Sequence, residues 1–187
     1  DSCSGDRPAF GVATAEDRNL FSYDVNAPLN LQKTVESMNN GVEVSSISFS
    51  SPDGGLVTGM MWDPVTRSGL RPGMVVMHGM PGHASDMASF AQSYAQYGAV
   101  VIAIDAPFAR RAGPSVNFTA ADRAEQIQLI KDLQRAVDVL RSRPNVDDDR
   151  IAYVGVSYGG AMGALFVGIE QRLEAAVFVV GHGGLVS

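Results

Sequence analysis

Ser157 lies at the centre of Gly155-Val156-Ser157-Tyr158-Gly159, a spacing in which a serine hydroxyl can act as a nucleophile. Before it runs Arg150-Ile151-Ala152-Tyr153-Val154, a short apolar segment of strand character. After it runs Gly160-Ala161-Met162-Gly163-Ala164-Leu165-Phe166, apolar and rich in small residues, as a closely packed helix would be. A G-x-S-x-G between a strand and a helix is a nucleophile elbow. The tight turn forces the serine into a strained backbone conformation and exposes its hydroxyl. Glycines two before and two after leave room for the neighbouring backbone. Such a serine needs a base, and only thirty residues follow it.

The elements that must position Ser157 alternate between strand and helix. Val42-Glu43-Val44-Ser45-Ser46-Ile47-Ser48-Phe49 alternates imperfectly and reads as a strand. Ser51-Pro52-Asp53-Gly54-Gly55 is a turn cluster, and Leu56 to Trp62 returns as a second strand, so the pair predicts a hairpin. Met74-Val75-Val76-Met77 and Ala99-Val100-Val101-Ile102-Ala103-Ile104 are continuously apolar, the type buried on both faces of a parallel sheet. Ala175 to Val180 is a last strand of the same kind. A helix is expected from Ser85 as N-cap to a stop near Gly98. The clearest helix opens with Thr119 and Asp122 in a capping-box arrangement. Its stripe is Ile127, Ile130, Leu133, Val137 and Leu140, and Pro144 ends it. Residues 1–40 carry no sustained period and read as an irregular lead-in to a core over 41–187.

This order predicts an α/β protein with a mostly parallel sheet, an N-terminal hairpin and helices on both faces. Ligands of such sheets bind beyond the carboxyl ends of the strands. The four loops there contain His78, Asp105, Ser157 and His182.

Composition sets outer limits. A chain of 187 residues with 45% hydrophobic and 18% charged side chains is an ordinary single globular domain. Fourteen basic against 20 acidic side chains give a net charge of −6, which argues against a nucleic-acid partner. The longest apolar runs fall well short of a membrane span. The single cysteine, Cys3, has no partner for an internal disulfide. A first residue of Asp1 rather than Met suggests processing or trimming, and an exported location, secreted or periplasmic, is slightly favoured on that ground alone. Asn117-Phe118-Thr119 matches a glycosylation sequon, a triplet that also recurs by chance.

Three features together make the chain resemble an α/β-hydrolase, nearest to the dienelactone hydrolase, acetylxylan esterase and prolyl-oligopeptidase-like groups. They are Gly155 to Gly160 after its strand, His78-Gly79-Met80-Pro81-Gly82 after a buried strand, and the order of elements from Val42 to Val180. The resemblance implies a three-layer α/β-hydrolase fold of which this chain carries the first six strands and lacks the last. It implies Ser157 as nucleophile and the backbone N–H groups of Met80 and Tyr158 as the oxyanion hole. Physics agrees for Tyr158, whose N–H stands at a helix N-terminus where free donors and the dipole favour negative charge. The implied reaction is hydrolysis of a small carboxylic ester through an acyl-enzyme, with a peptide or amide as the alternative, and with no cofactor or metal.

Simpler readings belong to other residues. His78 reads as structural, because the resemblance gives that histidine an orienting role. Arg110 and Arg111 read as a solvated pair, and Trp62 and Phe108 as packing. Asp147-Asp148-Asp149 reads as a solvated turn, since contiguous aspartates cannot all face one ion. The partners of Ser157 are scarce. Only Glu170, Glu174 and His182 follow it as acids or histidine. Glu174 precedes the last strand and His182 follows it, so they stand roughly 20 Å apart and Glu174 cannot orient the ring. His182 is the candidate base, because its strand should neighbour the elbow strand, and Asp105 is a conceivable acid from the other side. Alternatively Gly181-His182-Gly183-Gly184 is only a flexible loop. A second fragment, or another copy, completing the sheet is one expectation; a hydrolase-like remnant acting as a binding or assembly module is the other.

Overall fold

The computed structural model describes residues 14–113, 115–116 and 119–180. Over these the chain forms seven strands and four α-helices. They are α1 (Ala15–Asn19), β1 (Gln32–Asn39), β2 (Val42–Ser50), β3 (Leu56–Asp63), β4 (Arg71–Met77), α2 (Ala88–Gln96), β5 (Val100–Ile104), α3 (Ala120–Arg141), β6 (Val146–Val156), α4 (Tyr158–Ile169) and β7 (Ala175–Val179). The strands make one sheet in the order β1-β2-β3-β5-β4-β6-β7. The hairpin of β2 and β3 is antiparallel, and β5, β4, β6 and β7 run parallel to one another. This is the α/β architecture expected from the alternation of elements.

Alternation within the strands explains the three layers. In β4, Val75 and Met77 face one side and Val76 the other; in β5, Val100, Ile102 and Ile104 face one side, Val101 and Ala103 the other. Both sides are covered. Leu129, Ile130, Leu133, Val137 and Leu140 of α3 and Met162 and Phe166 of α4 pack on the first, while Ala91 and Ala95 of α2 pack on the second. A strand apolar at every position is therefore stable only in the middle of such a sandwich.

Four features differ from the sequence reading. The lead-in is not wholly irregular, because Gln32–Asn39 forms β1 and pairs with β2, giving seven strands rather than six. The strand Gln-Lys-Thr-Val-Glu-Ser-Met-Asn has little apolar alternation because it is an edge strand, mostly exposed, with a bulge between Val35 and Ser37. Ser85 is not a helix N-cap. It lies in a 3-10 turn, Ala84–Met87, and α2 begins at Ala88. The acidic run belongs to β6, where the register jumps from Pro72↔Asp147 to Gly73↔Ile151 and leaves Asp148, Asp149 and Arg150 bulged and exposed. Finally, α3 buries charged residues outside the stripe read as apolar, among them Asp132 and Arg135.

Asp132 is fully buried, and it is held by the Arg110 guanidinium at 2.5 Å and the Ser51 hydroxyl at 2.6 Å. Arg110 is thus not a solvated loop residue. It ties the segment after β5 to α3, and it also donates to the Leu56 carbonyl at 3.0 Å. Removing one member of a buried ion pair strands the other. Asp132→Ala should cost about 3–5 kcal/mol in urea unfolding, and the double variant Arg110→Met with Asp132→Leu should recover much of it.

Candidate active site

Register brings the chemistry to one edge. Met77 pairs with both Gly155 and Ile104, and Val156 pairs with Val179. His78, Asp105, Ser157 and Val180, the next residue of each strand, therefore emerge side by side. His182, the candidate base, lies outside the described residues, as do Asn117 of the sequon and Cys3.

Ser157 has φ 50° and ψ −111°, a left-handed backbone conformation rare for a residue with a Cβ, and its side chain is exposed. A conformation of this kind costs about 1–3 kcal/mol and persists only where the surroundings over-determine it. Three contacts do so. The Ser157 N–H donates to the Val179 carbonyl (2.8 Å), the Gly159 N–H donates to the His78 carbonyl (3.1 Å), and the Ser157 carbonyl accepts from the Ala161 N–H (2.9 Å). The turn is also crowded. A Cβ on Gly155 would stand 2.2 Å from the Gly159 carbonyl oxygen, and one on Gly159 would stand 2.4 Å from that of Met77. Glycine is thus the only residue that fits at either position. Beneath the turn the Tyr153 hydroxyl donates to the Gly159 carbonyl at 2.7 Å.

Tyr158 opens α4, with its ring buried edge-on against Phe108 at 5.4 Å. Burial first, then the charges of Glu125 and Asp122, push its phenol well above the ordinary range, so it stays neutral. Phe108 packs in turn against His78 at 5.7 Å, in agreement with a packing role. Met80 lies in the exposed loop after β4. Among the described residues neither the Met80 N–H nor the Tyr158 N–H has an acceptor. Gly79 brings this loop against Ser157, since a Cβ there would lie 3.2 Å from the Ser157 Cβ.

His78 is buried and bonded at both ring nitrogens. Nδ1–H donates to the Gly79 carbonyl (2.7 Å), and Nε2 accepts from the Ala106 N–H (3.1 Å). A backbone N–H can only donate, so the ring is the neutral Nδ1–H tautomer. It is a strut of the loop and not a free base. Asp105 is equally committed. Its Oδ2 accepts from the Thr58 hydroxyl (2.5 Å) and its Oδ1 from the Ala84 N–H (2.7 Å), with His83 Nδ1 at 3.7 Å. Glu170 is bound to Arg172, and the Glu174 N–H donates to Ile151 at the far end of the strands. Among the described residues nothing hydrogen-bonds the Ser157 hydroxyl. None of them forms a cluster of three or more acids, histidines or cysteines able to hold a metal ion. No helix among them is long and apolar enough to cross a membrane.

A cavity of about 470 Å³ opens beside β1–β3, walled by His83 and Asp105, and Ser157 does not line it. Among the described residues, only the elbow presents an exposed serine at positive φ beside unpaired N–H groups.

The sequence model of the dienelactone hydrolase family matches residues 58–186, from within β3 through the elbow and β7. The chain belongs to the dienelactone hydrolase family. An uncharacterized Pseudomonas aeruginosa protein is 26% identical over 138 residues, 73% of this chain and 36% of that protein. Among solved structures, acetyl xylan esterase 1 from Thermoanaerobacterium sp. superposes with a TM-score of 0.72 at 18% identity, covering 86% of this chain and 55% of that one. A dienelactone hydrolase-like promiscuous phosphotriesterase from metagenomic libraries gives 0.61 at 24% identity, covering 76% and 60%. These likenesses establish the α/β-hydrolase fold, and the chain spans about half the length of the solved relatives. In this chain β1 adds a strand outside the β2–β3 hairpin.

Two measurements check this packing. Gly159→Ala should destabilise the protein by at least about 1–3 kcal/mol. Gly168→Ala, with nothing within 4 Å of the added carbon, should be neutral or slightly stabilising, since it lies on α4. Burial holds the His78 imidazole below its ordinary 6.5, against a smaller upward pull from the Gly79 carbonyl and Asp105. The unfolded chain binds a proton that the folded one refuses, so this stability is complete above about pH 6.5 and is lost as pH falls through the lowered folded value. Unfolding midpoints taken from about pH 7.5 down to about pH 5 should fall more steeply for the parent than for His78→Gln.

Proposed function

We propose that the chain is the nucleophile-bearing part of a serine hydrolase that cleaves a carboxylic ester through an acyl-enzyme at Ser157. The observation that carries this reading is the positive φ of Ser157 at the strand-to-helix turn, with its side chain exposed. Unpaired N–H groups of Tyr158 and of Met80, whose loop lies against the serine through Gly79, support it.

In this reading Ser157 Oγ adds to the acyl carbon as a base takes its proton. The carbonyl oxygen becomes an oxyanion between the Met80 and Tyr158 N–H groups. The bond to the leaving alcohol then breaks, the alcohol taking the proton, and water repeats the sequence to release the acid. Each such donor typically contributes about 3 kcal/mol to the transition state. His182 is the base of this proposal. It follows Val179, the residue bonded to the Ser157 N–H, by three positions, and three residues reach at most about 10 Å. Asp105 is not the acid in this proposal, since its Oδ1 already holds Ala84 of the loop and its Oδ2 already holds Thr58 of β3. The chain spans about half the length of its solved relatives, and in this proposal the acid belongs to the part of the fold beyond β7. The esterase among the solved relatives favours an ester over an amide.

A second reading, a binding or assembly module without turnover, is favoured by one observation. The Ser157 hydroxyl has no hydrogen-bond partner among the described residues. A fluorophosphonate probe separates the two. Covalent labelling located at Ser157 by mass spectrometry, abolished in Ser157→Ala, together with release of p-nitrophenol from p-nitrophenyl acetate, is the expected result. A folded chain that the probe leaves unlabelled would sink the hydrolase reading for these residues.

A further inference from the structure

The loop that carries Met80 is pinned at both feet to one dipeptide. At the first foot, His78 Nε2 accepts from the Ala106 N–H at 3.1 Å. At the second, the Ala84 N–H donates to Asp105 Oδ1 at 2.7 Å. Between the feet, Met80, Pro81 and Gly82 make no hydrogen bond of their own among the described residues. Their position is therefore set where the arch meets the sheet. Asp86 closes the second foot on itself, accepting from the His83 N–H at 2.9 Å. The arch is also tight, since a Cβ on Gly82 would stand 2.8 Å from the Gly79 carbonyl oxygen.

Asp105 is in turn anchored to the sheet. Its N–H donates to the Thr58 carbonyl at 2.8 Å, and its Oδ2 accepts from the Thr58 hydroxyl at 2.5 Å. The carboxylate thus bridges β3, the end of β5 and the first residue of the 3-10 turn. A bond from a backbone N–H to a charged carboxylate is about twice as strong as a neutral one, so this foot is the firmer of the two.

We propose that Asp105 is a positioning residue for catalysis: through the Ala84 N–H it holds the Met80 arch in register with the Ser157 elbow. It touches neither substrate nor nucleophile. Its effect reaches the reaction because the Met80 N–H must meet an oxyanion fixed by Ser157 to within a fraction of an ångström, and a 1 Å misplacement costs about a hundredfold. This rests on the reading of Met80 as an oxyanion donor.

The experiment compares Asp105→Ala and Asp105→Asn with the parent chain. It follows p-nitrophenyl acetate kinetics, the rate of fluorophosphonate labelling, and residue-resolved amide hydrogen exchange. Asp105→Ala should lower kcat and the labelling rate by about tenfold to a hundredfold while KM stays within about twofold. Asp105→Asn, whose amide oxygen can still accept from the Ala84 N–H, should recover most of the rate. Exchange should quicken at residues 79–84 in Asp105→Ala and stay unchanged across β6 and β7. A folded Asp105→Ala whose loop amides exchange as in the parent overturns the proposal whatever the activity, as does a loss confined to KM. A parent chain that takes no label defeats the hydrolase reading instead, and the exchange result then decides the loop tether alone. Should Asp105→Ala not fold, Thr58→Val, which removes only the hydroxyl bond to Oδ2, takes its place: quickened exchange at residues 79–84 with a fall in kcat supports the tether, and unchanged exchange overturns it.

Discussion

The backbone of β4 presses directly on the first turn of α4, and the rest of the site depends on that contact. The carbonyl of Met77 lies where a Gly159 side chain would be, and the carbonyl of His78 accepts the Gly159 N–H. This close approach has two consequences. It traps Ser157 in a conformation that an isolated turn would relax. It also places the start of the Met80 loop beside Ser157, because the residues that press on α4 are the ones that lead into that loop.

Two packed layers carry this contact. The side of the sheet under α3 and α4 buries Ile102, Leu133, Tyr153 and Phe166, and the side under α2 buries Trp62, Val76, Val101 and Ala91. A central strand trapped between them cannot shift by a residue without exchanging its two faces. The ends of β4 and β5 are therefore level and β6 runs one residue further, which holds His78, Asp105 and Ser157 at one edge. Polar ties then fix what the apolar layers leave free. Arg110 with Asp132 fastens the segment after β5 to α3. Tyr23 and Arg172 join Asp138 of α3 at 2.9 Å and 2.6 Å, linking the lead-in to the turn before β7. Both clusters are buried or partly buried, so breaking either leaves charge without solvent.

The cores of β4 and β5, the two-faced strands and the elbow were legible because each is a local pattern. An apolar run bounded by glycine and proline has few other uses. The edge strand β1 was not legible, because its side chains face water and carry no period, and only pairing with β2 makes it a strand. Arg110 was misjudged, and the tie of Asp105 to Thr58 went unseen, for a related reason. A charged residue in a loop is usually solvated, and its burial follows from a partner 47 or 22 residues away that no local rule supplies. The same holds for Asp132 and Arg135 on the buried side of α3.

The sequence by itself determined the family, the class of sheet and the serine at its elbow, since these rest on glycine spacing and on runs of neighbouring residues whose sterics and hydrophobicity act locally. Tertiary structure decided the state and duty of the groups around that serine. It made His78 a neutral strut, turned Asp105 from a possible acid into a tether, and left the Met80 and Tyr158 N–H groups without acceptors among the described residues. Those outcomes depend on which hydrogen-bonding groups from distant strands come within bonding distance of one another, and that distance is set by the register of the folded sheet.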